Sequence, residues 1–212
     1  MEFNKKKVTD FLSNNAIVIL LVLLVLFVGF TRKGFFSGPN YSNIITNVTP
    51  RFIIALGVSG CLITKGTDLS AGRAVGITAC VAASLLQAAD APNKMWPAIG
   101  TLPVPLVILI VVALGAAIGA FNGFFVAKFK LHPFIVTLST QLITFGLILM
   151  YLKIGTNNGQ TLSGLDASYT NFIKGTLFTI GDTAVPKYVL YSAILTGIMW
   201  VIWNKTKFGK NM

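Results

Sequence analysis

The sequence predicts an all-α, polytopic membrane protein with about six transmembrane helices and both termini in the cytoplasm. Hydrophobic residues make up 54% of the 212 positions and charged residues only 11%, whereas soluble domains carry about 25% charged residues. The basic residues stand in ones, twos and threes at the edges of apolar runs, which is typical of loops that order a membrane topology. This distribution explains the net charge of +11 by membrane topology, so we expect the chain to lie in a lipid bilayer and to have no nucleic-acid partner.

Six apolar runs give the predicted spans, which are 14–31, 44–64, 69–89, 103–127, 133–152 and 187–203. A helix needs about 20 apolar residues to cross the hydrocarbon core, and only the fourth and fifth runs reach that length unaided. The first run follows Lys5-Lys6-Lys7 and precedes Thr31-Arg32-Lys33 without a small-x-small cleavage site, so we expect a retained helix. The second run needs to begin near Ile44, which leaves Arg51 inside its outer end, where an arginine can reach the interface.

The orientation is predicted from the lysines and arginines between the spans. With the N-terminus inside, ten of the 17 basic residues fall on the cytoplasmic side; they are Lys5, Lys6, Lys7, Lys65, Arg73, Lys128, Lys130, Lys205, Lys207 and Lys210. The largest soluble segment, 153–187, is then an extracytoplasmic loop that either connects two spans or docks a soluble partner. Its moderately apolar stretch, 169–180, predicts a short helix or a hairpin. We expect the whole chain, 1–212, to form a single transmembrane domain.

Residues 65–73, here called the polar segment, interrupt the apolar sequence between the second and third spans. This charged, glycine-bracketed break predicts either a tight cytoplasmic turn or a discontinuous helix that lines a pathway. An isolated carboxylate in a low-dielectric setting is costly, so we expect Asp68 to be paired or hydrated, with Lys65 and Arg73 near enough in sequence to neutralise it. A helix that begins near Leu69 would place Asp68 at its N-cap. The alternative role for Asp68 is a direct contact with a substrate or a gate.

Two further patterns lie in the fourth and fifth spans. Gly115, Gly119 and Gly123 recur at intervals of four, which lets another backbone approach that helix face closely, and Asn122 lies beside them. In 133–152, hydroxyl and amide side chains recur at spacings of three and four without any charge. That stripe suits either hydrogen bonds between helices or a wet pathway for a neutral polyhydroxy solute such as a sugar. The candidates for lining a substrate pathway are Asp68, Ser70, Asn122, Thr137, Thr140 and Gln141.

Motifs for enzymatic chemistry are missing from the sequence. The G-x-x-x-x-G-K-[ST] loop for ATP, H-E-x-x-H and G-x-S-x-G are absent, and His132 is the single histidine. Cys61 and Cys80 both lie in apolar runs, where they serve as small hydrophobic residues. We therefore expect no catalytic, cofactor or metal residues and a transport subunit that is not itself an enzyme. Since only Asp68 offers a carboxylate for ion coupling inside the bilayer, we expect an external source of energy.

Four ordered motifs resemble those of the ribose/galactose-type permease subunits of bacterial ABC importers. Residues 66–72, G-T-D-L-S-A-G, are similar to the family's G-x-D-L-S-x-G signature. G-A-F-N-G at 119–123 resembles its G-x-x-N-G segment, and P-F-I-V-T-L at 133–138 its P-F-I-x-T-L segment. The tail at 204–210, N-K-T-K-F-G-K, resembles the T-x-F-G-[RK] lead-in to the cytoplasmic coupling loop. The resemblance covers essentially the whole chain and is greatest to permeases of the galactose/methyl-galactoside type.

The resemblance implies a multi-pass permease subunit of the bacterial inner membrane that imports galactose or a related sugar by alternating access. Its implied partners are cytoplasmic ABC ATPase subunits, a periplasmic sugar-binding protein and a second permease copy. In the family, F-G-[RK] leads into an A-I-G-G-N-x-x-A-A loop and further helices, so we expect this chain to be the N-terminal part of a longer permease domain. Alternatives of other classes are a self-sufficient secondary carrier or channel and a non-transporting assembly factor or inert fragment.

Overall fold

The computed structural model describes residues 12–173, 175–181 and 183–212, apart from the side chain of Phe208. Its elements in chain order are α1 (Ala16–Thr31), α2 (Gly38–Ile63), α3 (Ala71–Leu85), α4 (Val104–Phe129), α5 (Pro133–Leu152), α6 (Ala167–Ile173), β1 (Thr176–Ile180), β2 (Thr183–Pro186), α7 (Lys187–Lys205) and α8 (Lys207–Lys210). The described chain is mostly helical, as predicted. The antiparallel pair β1–β2 is an addition to the predicted all-α class, and stretch 169–180 contains parts of both a helix and a hairpin.

Three helices are long and apolar enough to cross a membrane among the residues described. They are α2 and α4, with 26 residues each, and α5, with 20 residues. Helices α1 and α3 are apolar but shorter, with 16 and 15 residues. A proline in the first turn of each long helix explains where these helices begin. Proline fixes a helical φ, and in the first turn a helix has no acceptor for the N–H group that proline lacks. The predicted start at Ile44 is six residues late, since α2 begins at Gly38.

Helices α3, α4 and α5 pack against one another. At the end of α3, Ser84 Oγ lies 2.6 Å from Tyr151 Oη at the end of α5. The Leu85 carbonyl accepts a hydrogen bond from Leu102 N, just before α4 begins. Helix α3 therefore runs parallel to α5 and antiparallel to α4, and the buried side chains of Leu86, Val104 and Val107 close the bundle at that end.

Helix α2 packs against α7 and β2. Near the start of α2, Ser42 Oγ donates a hydrogen bond of 2.7 Å to the Ala184 carbonyl. Near its end, a Cβ at Gly60 would lie 3.9 Å from the Met212 methyl group. Helices α2 and α7 therefore run in the same direction. The end of the molecule with the polar segment, the α4–α5 turn and residues 205–212 is called the turn end below, and the opposite end is called the cap end.

The polar segment reaches into the bundle. Helix α3 begins at Ala71, and the preceding Ser70 contacts Asn122 of α4. Asn122 lies seven residues before the last residue of α4, which corresponds to about 10 Å along the helix at 1.5 Å per residue. The polar segment therefore joins two helices, α2 and α3, that run in opposite directions, as a turn whose second half lies deeper than the end of α4. A role in lining a pathway stays a prediction. The predicted span 69–89 is correspondingly shorter as a helix, because α3 ends at Leu85.

The cap end is closed by residues 86–103 and 153–166, here called the cap. Gln87 is 1% exposed and holds this cap together. Its Nε2 donates to the carbonyls of Asn93 (3.1 Å) and Ser163 (3.0 Å), and its Oε1 accepts a bond of 2.8 Å from Met95 N. Hydrogen bonds from Ala88 N to Gly164 O and from Asp166 N to Leu86 O join the two parts of the cap. Buried backbone groups outside a helix need such partners, and Gln87 supplies them.

Helix α6 begins directly after the cap. Asp166 Oδ1 accepts a hydrogen bond of 2.7 Å from Ser168 N. Bonds from the side chain and the backbone of Ser168 hold the pKa of the Asp166 carboxyl below its ordinary value. A carboxylate in this position satisfies one of the N–H groups that the first turn of a helix leaves without a partner.

Gly155→Ala is expected to destabilise the protein more than Gly159→Ala. Both glycines have a left-handed φ, of +67° and +80°, which costs an L-residue about 1–2 kcal/mol. Only at Gly155 would the added Cβ also overlap the carbonyl oxygen of Met95, whereas Gly159 faces open space. Thermal unfolding of the detergent-solubilised protein measures the difference. Equal midpoints for the two variants would contradict the close contact between residues 95 and 155.

Candidate functional site

A directed chain of hydrogen bonds crosses the three packed helices. Thr140 Oγ1 donates to Asn122 Oδ1 at 2.6 Å, and Asn122 Nδ2 donates to Ser70 Oγ at 2.9 Å. Ser70 Oγ in turn donates to Asp68 Oδ1 at 2.6 Å, and the same oxygen accepts Ser70 N at 2.8 Å. Every donor points along the chain toward the carboxylate.

The interior of this network is buried and satisfied. Ser70, Asn122 and Thr140 are 1%, 8% and 5% exposed. The Asn122 amide oxygen accepts a hydrogen bond from Thr140 of α5, and its nitrogen donates one to Ser70 at the start of α3. Since a buried polar group without a partner costs about 1–3 kcal/mol, the network fixes the relative positions of α3, α4 and α5. Asp68, at the end of the network, is half-buried and lines the cavity described below.

The predicted capping role of Asp68 is wrong in its details. Helix α3 has Ser70, not Asp68, as its N-cap, and Ser70 makes no side-chain capping bond. Its hydroxyl is engaged with Asp68 and Asn122 instead. Asp68 therefore orders the turn before the helix, which begins at Ala71, two residues later than predicted. Lys65 and Arg73 do not neutralise it, because no ion pair with Asp68 occurs within the described part of the chain.

A cavity of about 240 Å³ lies between the polar segment and helices α4 and α5. The polar residues that line it include Thr67, Asp68, Asn122 and Thr137. It is slightly smaller than the range of about 300–1,000 Å³ that ligand pockets occupy, so it suits water or part of a small polar solute. Neutral hydroxyl, amide and carbonyl groups with a single carboxylate can exchange hydrogen bonds with such a solute.

The predicted glycine stripe lies partly on this cavity. Gly119 and Gly123 line it. A Cβ at either position, or at Gly115, would meet no atom of a neighbouring element within 4 Å. The predicted helix packing through these glycines therefore has no partner among the residues the structure describes, and it stays a prediction for a contact with another helix.

The remaining candidates of α5 have different positions. Thr137 is buried, lines the cavity and bonds its own helix at Pro133 O (2.9 Å) and, more weakly, Thr67 O (3.3 Å). Gln141 is half-buried, and its amide makes no hydrogen bond to any described residue. The structure thus brings together Asp68, Ser70, Asn122 and Thr140, places Thr137 beside them and leaves Gln141 outside the network.

Two polar residues, Gln87 and Arg73, have positions that differ from those the sequence indicated. Gln87 falls inside a predicted span but organises the cap. Arg73, predicted as part of a cytoplasmic turn, lies with its guanidinium carbon 4.4 Å from the centre of the Phe145 ring. The sequence shows an amide at the end of an apolar run and an arginine at the end of the polar segment, but it does not indicate which residues these side chains contact.

Comparison with known proteins places the chain in a family. Residues 40–212 match the family described as branched-chain amino acid transport system / permease component. The chain is 42% identical over 209 residues to the galactose/methyl galactoside import permease protein MglC of Escherichia coli (strain K12), covering 99% of this chain and 61% of that protein. It is 30% identical over 190 residues to the ribose import permease protein RbsC of Bacillus subtilis (strain 168), covering 90% of this chain and 53% of that protein.

The chain thus spans about three fifths of the length of the first of these relatives. No solved structure matches it. The apolar helices long enough to cross a membrane agree with the family match over most of the chain. The chain therefore belongs to this family of transport-system permease components, and it is an integral membrane protein.

Proposed function

We propose that this chain supplies the membrane-spanning helices of a permease subunit that imports galactose, methyl galactoside or a related sugar. The observation that carries the proposal is the cavity between the polar segment and helices α4 and α5, lined by Asp68, Asn122 and Thr137. The printed names of the relatives, which are galactose/methyl galactoside and ribose import permeases, supply the class of substrate. Hydroxyl and amide groups form hydrogen bonds with a sugar that replace those it made with water. A sugar can therefore enter the cavity and leave it again.

The proposed orientation places the turn end in the cytoplasm. Exposed lysines concentrate there; they are Lys65, Lys128, Lys130, Lys205, Lys207 and Lys210. Excess lysine and arginine mark the cytoplasmic ends of membrane spans. The cap and the β1–β2 hairpin then face the periplasm of a bacterial inner membrane, where the segment 153–187 is placed to meet a sugar-binding protein.

The proposed mechanism is alternating access with an external energy source. The sequence contains no loop for ATP phosphates, so ATP hydrolysis is assigned to separate cytoplasmic ATPase subunits, and a second permease copy completes the pathway. Helix α3 begins inside the bundle, and its start is held by the side chains of Asp68 and Asn122. A shift of this helix start relative to α4 would open or close the cavity, which gives these side chains their proposed role. We propose that Gln141, whose amide bonds no described residue, contacts the sugar and does not hold helices together.

Removal of the ATPase subunit is expected to abolish uptake of radiolabelled galactose in cells that carry the native gene. Uptake is also expected to stop when the sugar-binding protein is removed, since neither energy nor substrate delivery is assigned to this chain. The matched control is the amount of permease in the membrane fraction of each strain. Galactose flux in proteoliposomes that contain the permease alone would contradict the proposal in favour of a secondary carrier or channel. Uptake that does not depend on the permease gene would favour an inert fragment.

A further inference from the structure

Arg73 lies near the middle of the helix bundle. Its guanidinium carbon is 4.4 Å from the centre of the Phe145 ring. Phe145 is twelve residues from the start of α5 and seven from its end, which corresponds to about 18 Å and about 10 Å along the helix. Helix α5 is long enough to cross a membrane, so the ring and the guanidinium lie well inside the bilayer from either surface.

The charge of Arg73 has no anionic partner within the described part of the chain. The side chain is exposed, it forms no ion pair or hydrogen bond with a described residue, and its contact is the face of Phe145. It also stands in the first turn of α3, where the helix dipole disfavours a cation. An arginine in hydrocarbon at the bilayer centre costs at least about 2.5–3.5 kcal/mol. Together these placements disfavour a position in lipid and favour one on a water-filled passage.

The same pair of side chains offers a sugar two kinds of contact. The guanidinium carries five N–H donors in a fixed plane, which can bond hydroxyl oxygens without a charged partner. The Phe145 side chain is 39% exposed, and its apolar surface suits the C–H faces of a sugar. Arg73 stands three residues, or about one turn, beyond Ser70, and is therefore further from the turn end than the cavity that contains Asp68.

We propose that Arg73 and Phe145 form a second sugar-contacting site on the pathway, in the middle of the bilayer, where Arg73 donates hydrogen bonds to sugar hydroxyls. The proposal rests on the proposed function of sugar import. It differs in location from the cavity at the polar segment, because neither residue lines that cavity. Arg73 is a specificity-determining residue here, since its donors select a solute with hydroxyl acceptors.

Cysteine labelling tests the site independently of transport. In the permease assembled with its partners in native membranes, with Cys61 and Cys80 replaced by alanine, Arg73→Cys is expected to react with a water-soluble, membrane-impermeant methanethiosulfonate reagent. Galactose or methyl galactoside is expected to slow that reaction at least about threefold. Phe145→Cys, expected to behave alike, keeps the test decisive if Arg73→Cys fails to assemble. The control is Leu147→Cys, an exposed apolar position two residues from Phe145 and therefore on the opposite face of α5, which is expected not to react.

Each outcome decides the proposal. Labelling of residues 73 and 145 with protection by sugar supports it, and labelling without protection overturns the sugar contact. Absence of labelling at both positions overturns the water-filled passage, even where galactose uptake by the native permease is intact. If galactose uptake does not require the permease, the proposed function fails. The uptake experiment detects that failure independently of the labelling experiment.

Discussion

Asn122→Leu is expected to reduce sugar uptake by at least about tenfold and to destabilise the protein. Leucine has a similar size but neither donates nor accepts, so Ser70 Oγ and Thr140 Oγ1 both lose their bonds to the amide. A buried polar group without a partner costs about 1–3 kcal/mol. Thr140 Oγ1 becomes such a group, whereas Ser70 Oγ keeps its bond to Asp68. The change also removes a polar lining residue of the cavity. Uptake of radiolabelled galactose and the midpoint of thermal unfolding measure the two effects.

The controls separate the two effects of Asn122. Phe124→Leu, at an exposed position on the same helix, is expected to change neither uptake nor stability. Gln141→Leu is expected to lower uptake with little change in the midpoint, because its amide bonds no described residue. In a double-mutant cycle, Asn122→Leu and Thr140→Val should be non-additive by about 0.5–3 kcal/mol, since the two side chains contact each other. If Asn122→Leu and Gln141→Leu both leave uptake unchanged in stably inserted protein, the pathway assignment is wrong.

Gln87→Leu is expected to lower the free energy of unfolding by about 3 kcal/mol, at about 1 kcal/mol for each of three lost hydrogen bonds. The three bonds link the Gln87 amide to Asn93, Ser163 and Met95, and the site is almost fully buried. Leucine would leave the Met95 N–H without an acceptor in the interior of the cap. Thermal unfolding of the detergent-solubilised protein gives the change in stability, and amide hydrogen exchange at Met95 should become faster in the variant.

The matched control for Gln87 lies in the same cap. Gln160 is exposed, and its side chain accepts a single bond of 3.1 Å from Asn93 Nδ2. Gln160→Leu is therefore expected to cost well under half as much stability as Gln87→Leu. If the two variants unfold at the same temperature, Gln87 does not organise the cap.

The helices of this chain were predictable where local chemistry marks both ends. The predicted spans 103–127 and 133–152 agree closely with α4 (Val104–Phe129) and α5 (Pro133–Leu152), because a proline precedes or opens each apolar run and basic residues follow. The third span was predicted too long. Its apolar run continues past Leu85 as irregular chain, and the backbone groups of Leu86 and Ala88 bond Asp166 and Gly164, which no local pattern indicates.

The site residues were predictable as types and not as an arrangement. Asp68, Ser70, Asn122 and Thr140 were candidates because polar side chains in apolar sequence need partners. Gln141 belongs to the same stripe as Thr140 but lies outside the network. A spacing of three or four residues identifies one face of a helix, but it does not say which neighbouring helix that face contacts.

The sequence by itself determined that this is a helical membrane protein, that the polar segment separates its second and third spans, and that its motifs resemble those of sugar-import permeases. Only the tertiary structure decided that Asn122 meets Ser70 across 52 positions and Thr140 across 18. It also decided that the start of α3 lies inside the bundle and that Arg73 contacts Phe145. The physical reason is that apolar length and periodicity are local properties, whereas depth and hydrogen-bond partners depend on how helices far apart in sequence are aligned.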